Sequence, residues 1–499
     1  MSAHVAVADC LEAMARLAPA SVDAIVTDPP YGIRFMGQAW DGTEIVRRAA
    51  TLRSKRPRPD GRAGDYSLAS AAGEYDRSPE ANRAFQAWAT EWAAAVLAVA
   101  KPGAHLVAFG GPRTFHRLGC ALEDAGWDIR DTLSWLYGQG FPKSLDVAKA
   151  IDRAAGAARE NKFAGAFVRR AGPTGNRRCG VCRKWLISGD PCRCPRPQDR
   201  AVTDAGRPWD GWGTGLKPAW EPILLARKPS DATVAETVLR YGTGALHVDA
   251  CRLPTADNGG NWGHSNETCR PRFNASPEGA AYRTAQHEFG RWPPNVALDA
   301  AVAAALDRVV GDRPSTLTGR ADPTLLHPPV SDAVSGGIVF TTPKGQGGLY
   351  ADLGGPSRFF YCPKASRAER EEGLEGFGAR PGVRYGQAVV NGSGGLINGT
   401  GERTPTRNPH PTVKPVALMR WLVRLVTPPG GLVLDPFCGS GTTGVACALE
   451  GMRFLGIERE ADYAAIARAR ISRARMQPSL FDPPDPGEDP AQTALFDAV

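Results

Sequence analysis

Residues 430–460, GGLVLDPFCGSGTTGVACALEGMRFLGIERE, limit the fold more than any other part of the chain. An apolar run ending at Asp435 reads as a buried strand. The loop Phe437-Cys438-Gly439-Ser440-Gly441 follows, a helix starts near Thr442, and RFLGIE reads as a second strand that presents Glu458 at its carboxyl end. Strand, crossover helix and strand of this length build a parallel sheet. Glycines in the loop let backbone approach a ligand closely, and the helix N-terminus offers free NH groups. An acid about twenty residues past the loop is placed to take two hydroxyls of a ribose. There is no GxGxxG and no GKS or GKT, which counts against a dinucleotide fingerprint and a phosphate loop.

The N-terminal part carries the same rhythm. VDAIVTD is a strand, ANRAFQAWATEWAAAVLAVA a helix with apolar residues at helical spacing, AHLVAFGG a strand, FHRLGCALEDAG a helix and DIRDTLSWLYG a strand. After a long irregular stretch, VALMRWLVRLV reads as a helix leading into the segment above, and DYAAIARARISRARM as a helix following it. The expected fold is therefore α/β, a doubly wound, mostly parallel sheet. The first strand exits through IVTDPPYG. Two prolines cannot donate hydrogen bonds or extend a central strand, so they make a stiff turn with free carbonyls, Asp28 before it and Tyr31 after it. That set suits a planar group bearing an NH2. The same residues also describe a plain turn followed by a core tyrosine.

The expected organisation is a catalytic half over 1–160 with a polar insertion at about 43–79, a cysteine-bearing insertion over 161–200, a return to the sheet over 201–230, an irregular variable region over 231–407, a cofactor-binding half over 408–476, and a disordered tail over 477–499 rich in Pro, Asp and Gly. The variable region, broken by SGGIVF, KGQGGLYADLGG and NGSGGLINGTG, is expected to lie outside the sheet. The 499 residues suffice for two or three domains, and 42% hydrophobic with 22% charged residues is ordinary for a soluble protein. No apolar run is long enough for a bilayer and the N-terminus lacks a signal-peptide pattern, so a cytoplasmic protein is the default expectation. A net charge of +8 mildly favours an anionic partner.

Asp-Pro-Phe-x-Gly-x-Gly-Thr-Thr with its downstream acid resembles the S-adenosylmethionine loop of DNA amino-methyltransferases, and DPPY resembles their catalytic tetrapeptide. With both motifs present, the chain is identified as resembling the adenine-N6/cytosine-N4 family. Its order, catalytic motif first and cofactor loop last, is that of the β-type members. RFMGQAWDG, YGQGFPKSLDVAKAID, LKPAWEPILLARKP, RFFYCPKASRAERE and HPTVKPVALMRWLVRLVTPPGG extend the resemblance toward phage- or prophage-type enzymes. It implies a Rossmann-like methyltransferase fold. It also implies that Asp28 and the Pro29 carbonyl, in the DPPY of Asp28, Pro29, Pro30 and Tyr31, accept hydrogen bonds from a target exocyclic amine. Tyr31 would stack on a base flipped from duplex DNA. Phe437, Gly439 and Gly441 would line S-adenosyl-L-methionine, with Asp435 at the strand end and Glu458 on the ribose. Asp9 matches the family's acid near the adenine end of the cofactor, and is equally a helix N-cap. Thr412 and Lys414 match the segment that closes over the methionine moiety, where a hydroxyl and a cation suit a carboxylate; Pro415 also marks a helix start. Cys438 reads as a packing residue, since amine methylation needs no covalent enzyme intermediate.

The expected activity is therefore methylation of adenine N6 in duplex DNA. Asp in the first position favours adenine, because N4-cytosine enzymes more often carry serine there. Methylation of cytosine N4 in DNA is the alternative; RNA or a protein glutamine amide is a further alternative substrate, the glutamine enzymes typically showing Asn in place of Asp28. A catalytically idle DNA-binding protein is the alternative of another class.

Two features lie outside that family's pattern. Cys179 and Cys182 form CxxC, Cys192 and Cys194 form CxC, and two close thiolate pairs suit a structural, tetrahedral Zn2+. The surrounding arginines make it a plausible phosphate-contacting knuckle or a solvated basic loop. In the tail, QPSLFD from Gln477 and QTALFD from Gln492 repeat one pattern that resembles the peptide bacterial proteins dock on the replicative sliding clamp.

Overall fold

The computed structural model describes residues 2–32, 48, 79–138, 144–157, 177–178, 185–186, 201–253, 291–311, 313–314, 353–354, 356–361, 368–379 and 406–476. They fall into two compact units: Met1–Gln139 with Ala219–Val499, and Gly140–Pro218.

The larger unit is built on an eight-stranded sheet. Its strands are β1 (Ala3–Val7), β2 (Val22–Thr27), β3 (Ala100–Phe109), β4 (Asp128–Leu136), β5 (Trp220–Arg227), β6 (Val296–Leu298), β7 (Leu432–Asp435) and β8 (Arg453–Glu458), in the order β1-β8-β7-β2-β3-β5-β4-β6. β5 runs antiparallel to both of its neighbours, β3 and β4, while the other pairings are parallel. The expected mostly parallel α/β sheet is thus present.

The central strands read as continuous apolar runs because both faces are covered. Alternate residues serve two separate cores. Ile25, Leu106, Leu434, Leu455 and Ile457 face helices α1 (Cys10–Met14), α2 (Pro79–Val99) and α3 (Phe115–Asp124), with Trp92 and Phe85 at the centre. Ala24, Val26, Val107, Val433 and Phe454 face α7 (Val416–Val426), α8 (Thr442–Leu449) and α9 (Ala461–Arg475). The apolar spacing of α2 buries Phe85, Trp92, Val96 and Val99 as its helical period requires. On α7 only Ala417, Arg420 and Arg424 escape full burial, the two arginines among apolar neighbours. Their guanidinium Nε atoms donate to Glu450 at the end of α8 over 2.6 and 2.8 Å.

β3 starts earlier than the apolar run AHLVAFGG foretells. Val22 pairs with Ala100 and Ala24 with His105, so the register jumps across Lys101-Pro102-Gly103. A proline cannot donate to a ladder, and the bulge accommodates it. At the same place buried Asp23 accepts from Lys101 Nζ at 2.5 Å and from the Leu432 amide at 2.7 Å, tying β2, β3 and β7 together.

Two expectations on organisation need correction. The region 231–407 is not wholly outside the sheet: β6 lies within it and pairs with β4, and α5 (Val234–Tyr241) packs on β3. Its three-residue strand is too short to stand out in sequence among glycine-rich pieces. The return to the sheet begins at Trp220, and 201–218 belong to the smaller unit. There α4 (Val147–Ala154) carries buried Asp152, whose carboxylate accepts from the Val202 and Thr203 amides at 3.1 Å and the Thr203 hydroxyl at 2.6 Å. Two-residue strands Arg177–Arg178 and Trp185–Leu186 pair antiparallel in this unit. Cys179, Cys182, Cys192 and Cys194, most of the 43–79 insertion and the tail from Gln477 lie outside the described residues. Among the described residues no group able to hold a metal ion is found and no helix is long and apolar enough to cross a membrane.

One glycine joins the loop after β7 to the helices behind it. Gly441 has φ +80°, and a Cβ there would lie 2.7 Å from Ala467 Cβ and 2.8 Å from its Cα on α9. Gly430 shares the backbone conformation, φ +70°, with nothing within 4 Å. Gly430→Ala is expected to cost about 1–2 kcal/mol of backbone strain, and Gly441→Ala a further ~1–3 kcal/mol of overpacking. Denaturant titration of the two variants checks this; equal losses would show that the α9 contact contributes nothing.

Candidate active site

β7 and β2 lie side by side, yet the chain leaves them on opposite faces of the sheet. From β7 it passes through α8 to β8 on one side; from β2 it passes through α2 to β3 on the other. Such a divergence leaves a crevice at the carboxyl ends of the two strands, where open α/β sheets bind ligands. A cavity of about 330 Å³ occupies this place.

Asp435 organises its floor. One carboxylate oxygen accepts from the Thr27 hydroxyl at 2.7 Å and the Phe437 amide at 3.1 Å, and the other from the Thr443 hydroxyl at 2.6 Å. It thereby fastens the end of β2, the glycine loop and the first turn of α8 to one group. Burial pushes its carboxyl up to about 6, against the pull of those hydrogen bonds.

The loop after β7 is held on three sides. Cys438 N donates to the Ile457 carbonyl at 2.9 Å, Gly439 N to Glu458 Oε2 at 2.8 Å, and Arg470 from α9 donates to the Ser440 carbonyl at 2.7 Å. Gly439 has φ +54°, and a Cβ there would come within 2.8 Å of His410 Nε2. Burial drives the His410 imidazole down to about 3, with Lys414 and Arg370 adding, so it is neutral. Its ring stands edge-on to Tyr463 with centroids 4.7 Å apart. Arg370 holds this segment by donating to the carbonyls of Asn408 and His410. Phe437 packs against Trp88 and Trp92 with centroids 5.7 and 5.5 Å apart, giving the cavity an aromatic wall. Burial raises the Cys438 thiol well above its ordinary value, which makes it a neutral packing group.

At the mouth, Asp28 follows the last residue of β2. Its Oδ1 accepts from the Tyr31 hydroxyl at 2.9 Å, and its Oδ2 accepts from the Lys414 ammonium. Lys414 is 8% exposed and lies over the Phe109 ring at 4.8 Å. A second carboxylate, Glu221 of β5, stands with Oε2 3.6 Å from the same ammonium. Desolvation pulls Lys414 down, but the two carboxylates outweigh it and leave its pKa above the ordinary lysine value. The Tyr31 carbonyl accepts from the Thr114 hydroxyl at 3.1 Å, and the ring sits against Gly111.

Asp28, Pro30, Asp9, Thr412, Lys414, Asp435, Phe437, Gly439 and Glu458 all border this one cavity. Asp9 does two things there: it borders the cavity and caps α1, accepting from Leu11 N at 2.9 Å. Glu458 bonds the amides of Gly439 and Glu460, at 2.8 and 2.9 Å. Pro29 and Tyr31 flank the mouth, and Gly441 turns toward α9. Lys414 does not stand free for a ligand carboxylate, since its ammonium is engaged by Asp28 and Glu221. Sequence reasoning passed over Glu221, Trp88, His410 and Tyr463. Glu221 carried a signal, an acid opening the apolar strand EPILLAR. Trp88 was indistinguishable from the core residues of its helix.

The chain matches the family model described as DNA methylase over residues 22–250 and 377–469. It is similar to the type II methyltransferase M2.DpnII of Streptococcus pneumoniae, with 48% identity over 62 residues that cover 12% of this chain and 23% of that protein. The type II methyltransferase M.HindIII of Haemophilus influenzae is 22% identical over 243 residues, 46% of this chain and 60% of that protein. The matched parts thus span less than two thirds of either relative. Among solved structures, the M1.HpyAVI–SAM complex aligns with TM-score 0.32 at 15% identity, covering 94% of this chain and 99% of that one. The cytosine-N4-specific PvuII DNA methyltransferase aligns with TM-score 0.35 at 11% identity, covering 100% and 92%. With the model matched on both halves of the sheet and on the crevice between them, the chain belongs to the N6/N4 DNA methylase family.

Proposed function

We propose that the protein transfers a methyl group from S-adenosyl-L-methionine to the N6 amine of an adenine flipped out of duplex DNA. The observation that carries this reading is the position of the Asp28 carboxylate on the border of an aromatic-walled cavity. The residues fit the cofactor. The aromatic wall of Phe437 and Trp88 suits an adenine ring, and the Glu458 and Asp9 carboxylates suit the donor groups at the far end, ribose hydroxyls and the exocyclic amine of adenine. Thr412 and the glycine loop border the remaining length. The cofactor, when bound, supplies an electrophilic methyl on a sulfonium.

This chain's own residues do the rest. Asp28 and the Pro29 carbonyl accept hydrogen bonds from the amine, which turns its lone pair toward the methyl and raises electron density on nitrogen. No strong base is needed before attack, because the proton leaves late, with Asp28 beside it. Tyr31 offers its face to the extruded base and offsets part of an unstacking cost of about a few kcal/mol. The acid in the first position of DPPY supports adenine over cytosine. The region 231–407, whose sequence is broken by glycine-rich pieces and carries scattered aromatics and arginines, is the natural place for reading the DNA sequence.

Labelled methyl transfer to unmethylated duplex DNA followed by nucleoside analysis tests the reading. N6-methyladenine is the expected product. N4-methylcytosine would reassign the base, and absence of transfer to DNA would overturn the proposal.

The repeated Leu-Phe motifs near Leu480 and Leu495 further support docking on the replicative sliding clamp. A clamp pull-down is expected to be lost when both Leu-Phe pairs are changed to Ala-Ala; retention would end this idea.

A further inference from the structure

The catalytic carboxylate is already occupied. One Asp28 oxygen takes the Tyr31 hydroxyl and the other the Lys414 ammonium, so an incoming amine competes with them for the carboxylate. Lys414 cannot simply leave. It is 8% exposed and lies among the Phe109 and Tyr31 rings, and an ammonium withdrawn there from Asp28 with no other anion to receive it would be a buried, unpaired charge. The structure holds a place for it. Glu221 Oε2 is a buried carboxylate oxygen with no hydrogen-bond donor, 3.6 Å from Lys414 Nζ. A shift of under about 1 Å closes that gap to a normal charge-assisted hydrogen bond.

We propose that Glu221 is a positioning residue, the second seat of Lys414: the ammonium rests on Asp28 in the empty site and moves to Glu221 when the target amine takes Asp28. This rests on the reading of Asp28 as the acceptor of the amine. An unpartnered buried carboxylate oxygen is costly to keep, and a group of this kind calls for an explanation. The Lys414 ammonium and the Tyr31 hydroxyl are the donors that face this carboxylate. Burial raises the Glu221 carboxyl and Asp28 reinforces this, while the Lys414 ammonium opposes it and so favours the charged form. The exchange moves no proton and breaks no covalent bond. It replaces one ammonium–carboxylate contact by another while the vacated lone pair accepts the N–H of the base. Both seats are carboxylates, so the buried ammonium stays paired throughout. The arrangement also keeps Asp28 covered when no base is present.

The test is a double-mutant cycle on the full chain with S-adenosylmethionine and unmethylated duplex DNA, in single turnover with enzyme in excess. Glu221→Gln keeps the shape but removes the charge. It is expected to slow methyl transfer about tenfold or more while DNA and cofactor affinities stay within about twofold. Where Lys414 is already Met, there is no ammonium to reseat, and adding Glu221→Gln is expected to cost less than about twofold. Equal losses in the two backgrounds, or no loss in the wild-type background, would overturn the inference. Should Glu221→Gln fail to fold, Glu221→Asp, which keeps the charge but sets it farther from Lys414, is run through the same cycle with the same two criteria. A wild-type protein that methylates no DNA would instead refute the functional reading beneath the inference.

Discussion

Asp28 and Lys414 stand 386 residues apart in the chain and share one hydrogen bond. Asp28 opens the turn after β2, in the N-terminal half of the sheet; Lys414 precedes α7, in the half that carries the cofactor loop. Their contact closes the corner where the two halves meet. Because the ammonium is nearly dry, it stays only while carboxylates face it, and Asp28 and Glu221 supply them from two different strands. The position of β5 beside β3, antiparallel in a sheet otherwise largely parallel, is what brings Glu221 there.

The remaining polar groups of the site serve the same end, holding loops from opposite halves at fixed separation. Asp435 joins Thr27 of β2 to the helix that follows the glycine loop. Arg370 holds the carbonyls of Asn408 and His410, and so the segment leading to Thr412 and Lys414. Arg470 fastens Ser440 from behind. Each is a charged group engaged by several partners at once, and such shared networks favour one geometry. The cavity is consequently preformed, with the acceptor at its mouth fixed by packing.

Much of this was legible in the sequence, for identifiable reasons. A strand buried on both faces shows as an unbroken apolar run, and Asp435, Gly439 and Glu458 sit at fixed offsets from two such runs. Asp28 and Tyr31 were marked by prolines that only a turn tolerates. Glu221 was not, because its partner lies 193 positions on, and nothing local shows that an acid opening a strand points into a site. The contact of Lys414 with Asp28 was hidden for a related reason: a cation near a cofactor segment suits a ligand carboxylate as well as a protein one, and only the fold brings Asp28 within reach. Strand β6 escaped notice since three residues carry no period.

The central claim is that Asp28 acts on the amine and not in holding the cofactor. Calorimetric titration of S-adenosylmethionine, paired with single-turnover methyl transfer, separates the two in Asp28→Ala. The account predicts cofactor affinity within about threefold of wild type and transfer slowed by roughly 10³-fold or more. Transfer persisting within about tenfold of wild type would contradict it.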